Sequence, residues 1–536
     1  MRKGLLLLSH LLVIALIAWG GQTAAAQEDE EELKRQTTIV VDSAQYEWWL
    51  IRWTDNLIAC QLSINHEGLP LDGEILEECG QEIYTTWKST PPCEQAGEGK
   101  STFPCPGYYA YFAGYQTGRK EVVVDLPPPT VWLTITGCDL SPPKNFCQQI
   151  PKLVLTGEEP LPNETITAIH IVMNGVEQTC ESNVCEISLK PTPLGGAPVE
   201  FWADSSFGDS SEHFTGLVRV LESGVSLDPS QEGWFVDVLS PQWKGGPVES
   251  CAQVWQAFPP PGGPPLWLST PTEEALLASD EPYQYLAGRL IFQGLVDASD
   301  CPNNGLLPNG YADACGLARA RPMVDLWQNQ FDPQILSVSR ELGLPARLMK
   351  NIFAQESQFW PGTFRVVKEN GLGQLTDLGA DTVLLWNASF FRQFCPLVLA
   401  EEACASGYLR LEDDEREILR GALANEVNSD CVDCPAGVNL THANFSVMLF
   451  AQGILANCGQ VGQTIRNATQ AVPGEVSSYE DLWRFTLANY NGGAGCLAYA
   501  IHTTWSLREP LDWAHVSTHL TPPCRGVIGY VELTSR

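Results

Sequence analysis

One carboxylate stands where it could do chemistry. In the stretch LPARLMKNIFAQESQF, Met349, Ile352, Phe353 and Glu356 fall at i, i+3, i+4 and i+7, one face of a helix. Glu356 therefore ends an apolar stripe, at the mouth of a cleft or as a buried charge. Desolvation raises a carboxyl pKa, which suits a general acid working near neutral pH. Two later elements have unusual composition: the Gly-rich turn Asn370-Gly371-Leu372-Gly373-Gln374-Leu375-Thr376, and the helical run LANYNGGAGCLAYAI from Leu487 to Ile501. Gly371 and Gly373 read as turn residues, since glycine is what a positive φ requires. Cys431-x-x-Cys434 suits zinc or a disulfide. His442 does not complete a ligand set, so a disulfide is expected, with no metal and no cofactor.

The elements that must hold these residues are helical. Asp332-Pro333 reads as a helix start, Gly343 as its end, and Pro345 as the opening of the helix that carries Glu356. Past Met323 the period stays largely helical. Glu356-Ser357 precedes Gly371 by fifteen residues, Gly371-Leu372-Gly373-Gln374-Leu375 forms the turn, and Ala488-Asn489-Tyr490-Asn491-Gly492-Gly493 follows. In that order they resemble the soluble lytic transglycosylase domain, a relative of goose-type lysozyme. Its members carry a Glu-Ser pair, a G-L-M-Q-L turn and an A-x-Y-N-x-G element, and Tyr530-Val531 resembles its closing segment. Gly373 replaces the family's Met, Arg365 stands where a sugar-side Ser is usual, and Lys368-Glu369 replaces a Gly-Ala pair. The segment before Tyr490 is also longer than usual.

The resemblance implies a lysozyme-like fold for residues 323–536 and an enzyme that cleaves the MurNAc–GlcNAc bond of peptidoglycan. Glu356 would be acid and then base, and the product a 1,6-anhydro sugar. Ser357, Gln374, Tyr490, Asn491 and Arg365 are the expected substrate-binding residues. The alternatives are a hydrolytic muramidase, with Glu369 or Asp377 as second carboxylate, and a non-catalytic cell-wall glycan-binding protein. Arg365 and Lys368 are candidates for a local basic cleft.

The rest of the chain supplies context. Arg2-Lys3, an apolar run from Leu5 to Trp19 and Ala24-Ala25-Ala26 read as a signal peptide over residues 1–26, cleaved or retained as an anchor. No later stretch reads as long and apolar enough to cross a membrane. With 31 Lys+Arg against 64 Asp+Glu the net charge is −33, which argues against a nucleic-acid partner. Eighteen cysteines point to an oxidising compartment and, with the signal peptide, to a secreted protein; association with the cell wall is what the resemblance implies.

Residues 27–36 form an acidic spacer. Residues 37–126 and 127–222 read as two β-rich, immunoglobulin-like sandwich modules, separated at Pro127-Pro128-Pro129. Asn174-Gly175 marks a hairpin. Trp48, Trp49 and Trp53 are expected in the core rather than stacked on sugars. Residues 223–322 read as an irregular connector. Cysteine parity is four, four and ten along these segments. The odd three, Cys251, Cys301 and Cys315, predict a bridge from the connector to the C-terminal region. Oligomeric state is not legible.

Overall fold

The computed structural model describes residues 34–89, 107–138, 145–228, 231–244, 250–363 and 369–536. The expected signal peptide, most of the acidic spacer, and Arg365 and Lys368 lie outside them. The chain divides into two compact units, Met1–Pro127 and Pro128–Arg536.

Among its described residues the first unit is one antiparallel sheet with a helix, rather than the expected sandwich. Strands β1 (Gln36–Arg52), β2 (Ile58–Ile64) and β3 (Tyr108–Asp125) pair in the order β2-β1-β3. Helix α1 (Asp72–Ser89), which strand patterning did not anticipate, buries Ile75 with Leu50, Leu62 and Ile64. The Cys60–Cys79 disulfide ties β2 to this helix. Trp48 packs toward that small core, while Trp53, in the turn after β1, is 40% exposed and packs at a tilt against Tyr109.

The second unit opens with a two-layer β region. Strands β4 (Thr130–Thr136), β5 (Phe146–Cys147), β6 (Lys152–Glu158), β7 (Ile166–Met173), β8 (Val176–Cys180), β9 (Val184–Ser188), β10 (Ala197–Ser205), β11 (Phe214–Asp228) and β12 (Gln231–Leu239) form two sheets. Their orders are β5-β12-β11-β10-β7-β8 and β4-β6-β9. Leu133 and Leu155 of one sheet share a core with Ile171, Phe201 and Val220 of the other. Met173 pairs with Val176, so Asn174-Gly175 is a two-residue hairpin turn, with φ of 53° and 75°. Arg219 is buried against Asp237, and both are further bonded, Arg219 to the Pro259 carbonyl and Asp237 by Asn145.

The expected connector is not a separate irregular body. Strands β11 and β12 carry the sheet to Leu239, past the boundary read at residue 222. From Ser250 on the chain belongs to the helical core, which gathers Trp255, Leu286 and Val324 with Phe353, Trp483 and Val531. That region comprises α2 (Ser250–Trp255), α3 (Gln284–Phe292), α4 (Ala314–Asn329), α5 (Asp332–Leu342), α6 (Ala346–Ser357), α7 (Asp377–Trp386), α8 (Ala388–Phe394), α9 (Glu401–Ala405), α10 (Asp413–Val427), α11 (Leu440–Thr469), α12 (Pro473–Val476), α13 (Tyr479–Gly492), α14 (Ala494–Ser506), α15 (Trp513–Thr518) and α16 (Gly526–Thr534).

Eight disulfides join the described cysteines, as an oxidising environment favours. Cys251–Cys458 is the bridge that parity required, and Cys431–Cys434 is a disulfide. Helix α11 corrects the membrane reading. It is long and apolar enough to span by length and composition, and 67% of its most apolar window is buried in the protein.

Candidate active site

Helix α6 begins after Pro345 and follows the expected stripe, with Met349, Ile352 and Phe353 buried. It is anchored at Lys350, whose ammonium donates to the Leu277 carbonyl at 2.8 Å, Asn329 Oδ1 at 2.7 Å and Asp332 Oδ2 at 2.7 Å. All three N–H donors are used, which suits a charged ammonium. Burial lowers the Lys350 pKa and raises that of Asp332, while each charge opposes the shift of the other. Asp332 is thus the first residue of α5 and an ion-pair partner, not its N-cap, which is Phe331.

Glu356 stands half-buried near the C-terminal end of α6. The turn beside it is fastened from two sides. Ser357 Oγ donates to the Leu372 carbonyl at 2.8 Å, and Tyr490 Oη donates to the Gly373 carbonyl at 2.6 Å. The turn closes on itself through reciprocal backbone bonds between Asn370 and Leu375. Two consecutive carbonyls therefore hold α6 and α13 to the same loop.

The two glycines answer different demands. Gly371 has a φ of +75°, which few side chains tolerate. Gly373 has no such constraint. A Cβ there would lie 2.4 Å from the Phe450 ring and 2.8 Å from Tyr490 Oη. The Phe450 ring and the tyrosine hydroxyl leave no room for a side chain at this position.

Glu356 opens onto a groove of about 1100 Å³, open solvent at its mouth included. Helix α7 contributes Leu378, Thr382 and Val383, and α10 contributes Leu423 and Val427. Leu449, Phe450, Gly453, Asn457 and Gln460 come from α11, and Asn489 to Ala494 from the α13–α14 junction. Leu449 and Gln460 are eleven residues apart, so α11 runs along about 16 Å of it. Glu356, Gln374, Tyr490 and Asn491 all line the groove, as expected. Glu369 does too, whereas Asp377 is exposed in the first turn of α7 and is not among the lining residues. Among the described residues, those lining the groove include two carboxylates and no Lys, Arg or His.

Ser357 departs from its expected role. It is 0% exposed and spends its hydroxyl on the Leu372 and Phe353 carbonyls, so it positions the turn and cannot touch a ligand. Gln374 is 7% exposed, with Nε2 on the Gly371 carbonyl and Oε1 without a partner.

Two tyrosines sit within the electrostatic reach of Glu356. Burial first, and then the Glu356 carboxylate, hold the Tyr490 hydroxyl well above the usual phenol range. The same causes act on Tyr530, with Tyr490 adding to them. A hydrogen bond of irregular geometry between Tyr530 Oη and the Glu356 side chain adds to these causes. The helix of Tyr530 is tied to α6 by Asn351, which donates to the Thr534 carbonyl at 2.9 Å. Both phenols remain protonated near Glu356: Tyr490 spends its proton on the Gly373 carbonyl, and Tyr530 directs its own to the Glu356 side chain.

Sequence reasoning missed Phe450, Asn457, Gln460 and the role of Tyr530. A signal existed for two of them, Asn457 and Gln460. Gly453, Asn457 and Gln460 recur at i, i+4 and i+7 along an otherwise apolar helix, a stripe of its own.

No protein-family model, no curated protein and no solved structure matches this chain.

Proposed function

We propose that the protein is an exported peptidoglycan lytic transglycosylase, with a lysozyme-like catalytic region and an immunoglobulin-like β module before it. The observation that carries this reading is the clustering of Glu356, the Gly371–Leu375 turn and Tyr490 at one groove. These are the three elements whose order resembles the soluble lytic transglycosylase domain. The eight disulfides support an extracytoplasmic site of action.

In this mechanism Glu356 protonates the glycosidic oxygen between MurNAc and GlcNAc as the C1–O bond breaks. The resulting carboxylate takes the proton of the C6 hydroxyl, whose oxygen closes onto C1. The acid is regenerated and no water is consumed, so one carboxyl group suffices. Positioned proton transfer of this kind contributes roughly 10²–10⁴-fold. The protonated Tyr490 and Tyr530 are placed to keep Glu356 oriented, and Gln374 and Asn491 to hold the sugar.

A second reading has its own support. Glu369 lines the same groove, and a second carboxylate is what a hydrolytic muramidase needs to activate water. The test is solubilisation of purified peptidoglycan, with reducing ends counted, by the wild type, Glu356→Gln and Glu369→Gln. Release that requires Glu356, survives Glu369→Gln and creates no reducing ends supports the transglycosylase. Reducing ends lost on Glu369→Gln support the muramidase.

A further inference from the structure

Beyond Glu356, the groove contains three carboxamides whose orientation is fixed by the fold. Asn457 Nδ2 lies 2.8 Å from the Gly453 carbonyl, which can only accept. The amide nitrogen of Asn457 must therefore face that carbonyl, leaving Oδ1 on the other side. Asn489 Nδ2 then donates to Asn457 Oδ1 at 2.8 Å and to Gln460 Oε1 at 2.7 Å. Gln460 must present its oxygen to Asn489, which leaves Nε2 as the unused group of a half-buried residue lining the groove. Deeper in the wall, Asn489 is 3% exposed and its Oδ1 has no partner.

We infer that Gln460 is a specificity-determining residue, its Nε2 donating to a neutral carbonyl oxygen of the ligand, and that Asn489 and Asn457 position it. A carboxylate would also accept this bond, but among the described lining residues the charges are those of Glu356 and Glu369, which disfavour an anion there. The ligand group is thus an amide carbonyl, supplied by the N-acyl substituent of a sugar or by a peptide attached to it. The choice of ligand rests on the proposed function; the direction of the amide chain does not.

The test measures binding in the Glu356→Gln protein, so that turnover cannot intervene, with Gln460→Leu and Gln460→Glu added in turn. Three probes are titrated: an N-acetylglucosamine oligomer, the de-N-acetylated oligomer of equal length, and a peptide-bearing muropeptide beside its peptide-free form. An uncharged hydrogen bond is worth about 0.5–1.5 kcal/mol net, so up to about tenfold in affinity is at stake. Weakening of the acetylated oligomer by Gln460→Leu, with the amine oligomer unaffected, places the carbonyl on the sugar. Weakening confined to the peptide-bearing probe places it on the peptide. Gln460→Glu should weaken the same probe further while sparing or strengthening the amine oligomer, a reversal that a structural role would not produce. Equal losses on all probes, no loss on any, or no binding at all would overturn the inference. Product release by the wild type reports on the catalytic reading separately.

Discussion

The two-layer β region and the helical region treat buried polar groups in opposite ways. In the β layers Arg219 and Asp237 are enclosed with every strong partner supplied, including Asn145 and the Pro259 carbonyl. No described side chain between Pro128 and Lys244 has an unpartnered buried polar atom. In the helical region such atoms recur, and two of them, Gln374 Oε1 and Asn489 Oδ1, belong to residues that line the groove of Glu356. An unmade buried bond costs about 1–3 kcal/mol. On the proposed function, the difference separates a part that needs only to persist from a groove wall that leaves polar atoms for a ligand.

The largest effect should come from Glu356→Gln, which keeps shape and removes the proton. Glycan cleavage should fall by roughly 10²–10⁴-fold with the folded state intact, as read by product release and circular dichroism. In the β layers the converse holds. Arg219→Met strands the Asp237 carboxylate and should cost about 3–5 kcal/mol in chemical denaturation, with activity retained wherever the protein stays folded. Activity lost in proportion to stability in the first variant, or without unfolding in the second, would break the contrast.

Ser357→Ala should cost about 1–3 kcal/mol, since it leaves the Leu372 carbonyl without its donor. It should also lower turnover by loosening the turn, without changing glycan affinity; a change confined to affinity would return Ser357 to the ligand site. The smallest effect is at Tyr530. Its buried hydroxyl meets Glu356 in irregular geometry, so the lost bond and the relieved burial offset, and Tyr530→Phe should shift stability by under about 1 kcal/mol at neutral pH.

Alkaline unfolding then isolates the tyrosines. Both folded phenols titrate above their unfolded value near 10, so their contribution is full below about pH 10. It declines above that, where the unfolded chain has released protons that the native state keeps. Tyr490→Phe and Tyr530→Phe should each flatten the decline, and an unchanged slope would mean that these hydroxyls are not held as described.

The same contrast governs what was legible. Periodicity singled out Glu356, and the resemblance of their motifs singled out Gln374, Tyr490 and Asn491; all four line the groove. Ser357 was misassigned, because residue type beside a catalytic candidate does not reveal whether a hydroxyl faces the groove or a carbonyl. Gly373 was read as a turn glycine, yet the demand is space against Phe450, a residue far away in sequence. Gln460 acquires its meaning from Asn489 and Asn457, twenty-nine residues away on one side and three on the other. In the first unit, helix α1 was hidden by the interior Gly80 and a surrounding run of strands. That some bridge joins the connector to the C-terminal region was foreseeable from parity, while its identity as Cys251–Cys458, and the place of the adjacent Asn457 in the groove, were not.

The most direct test is mass spectrometry of the fragments released from purified peptidoglycan by the wild type and by Glu356→Gln. The account predicts anhydro-muropeptides, each lighter than its hydrolytic counterpart by one water, from the wild type and none from the variant. Fragments with ordinary reducing ends, or undiminished release by the variant, would contradict it.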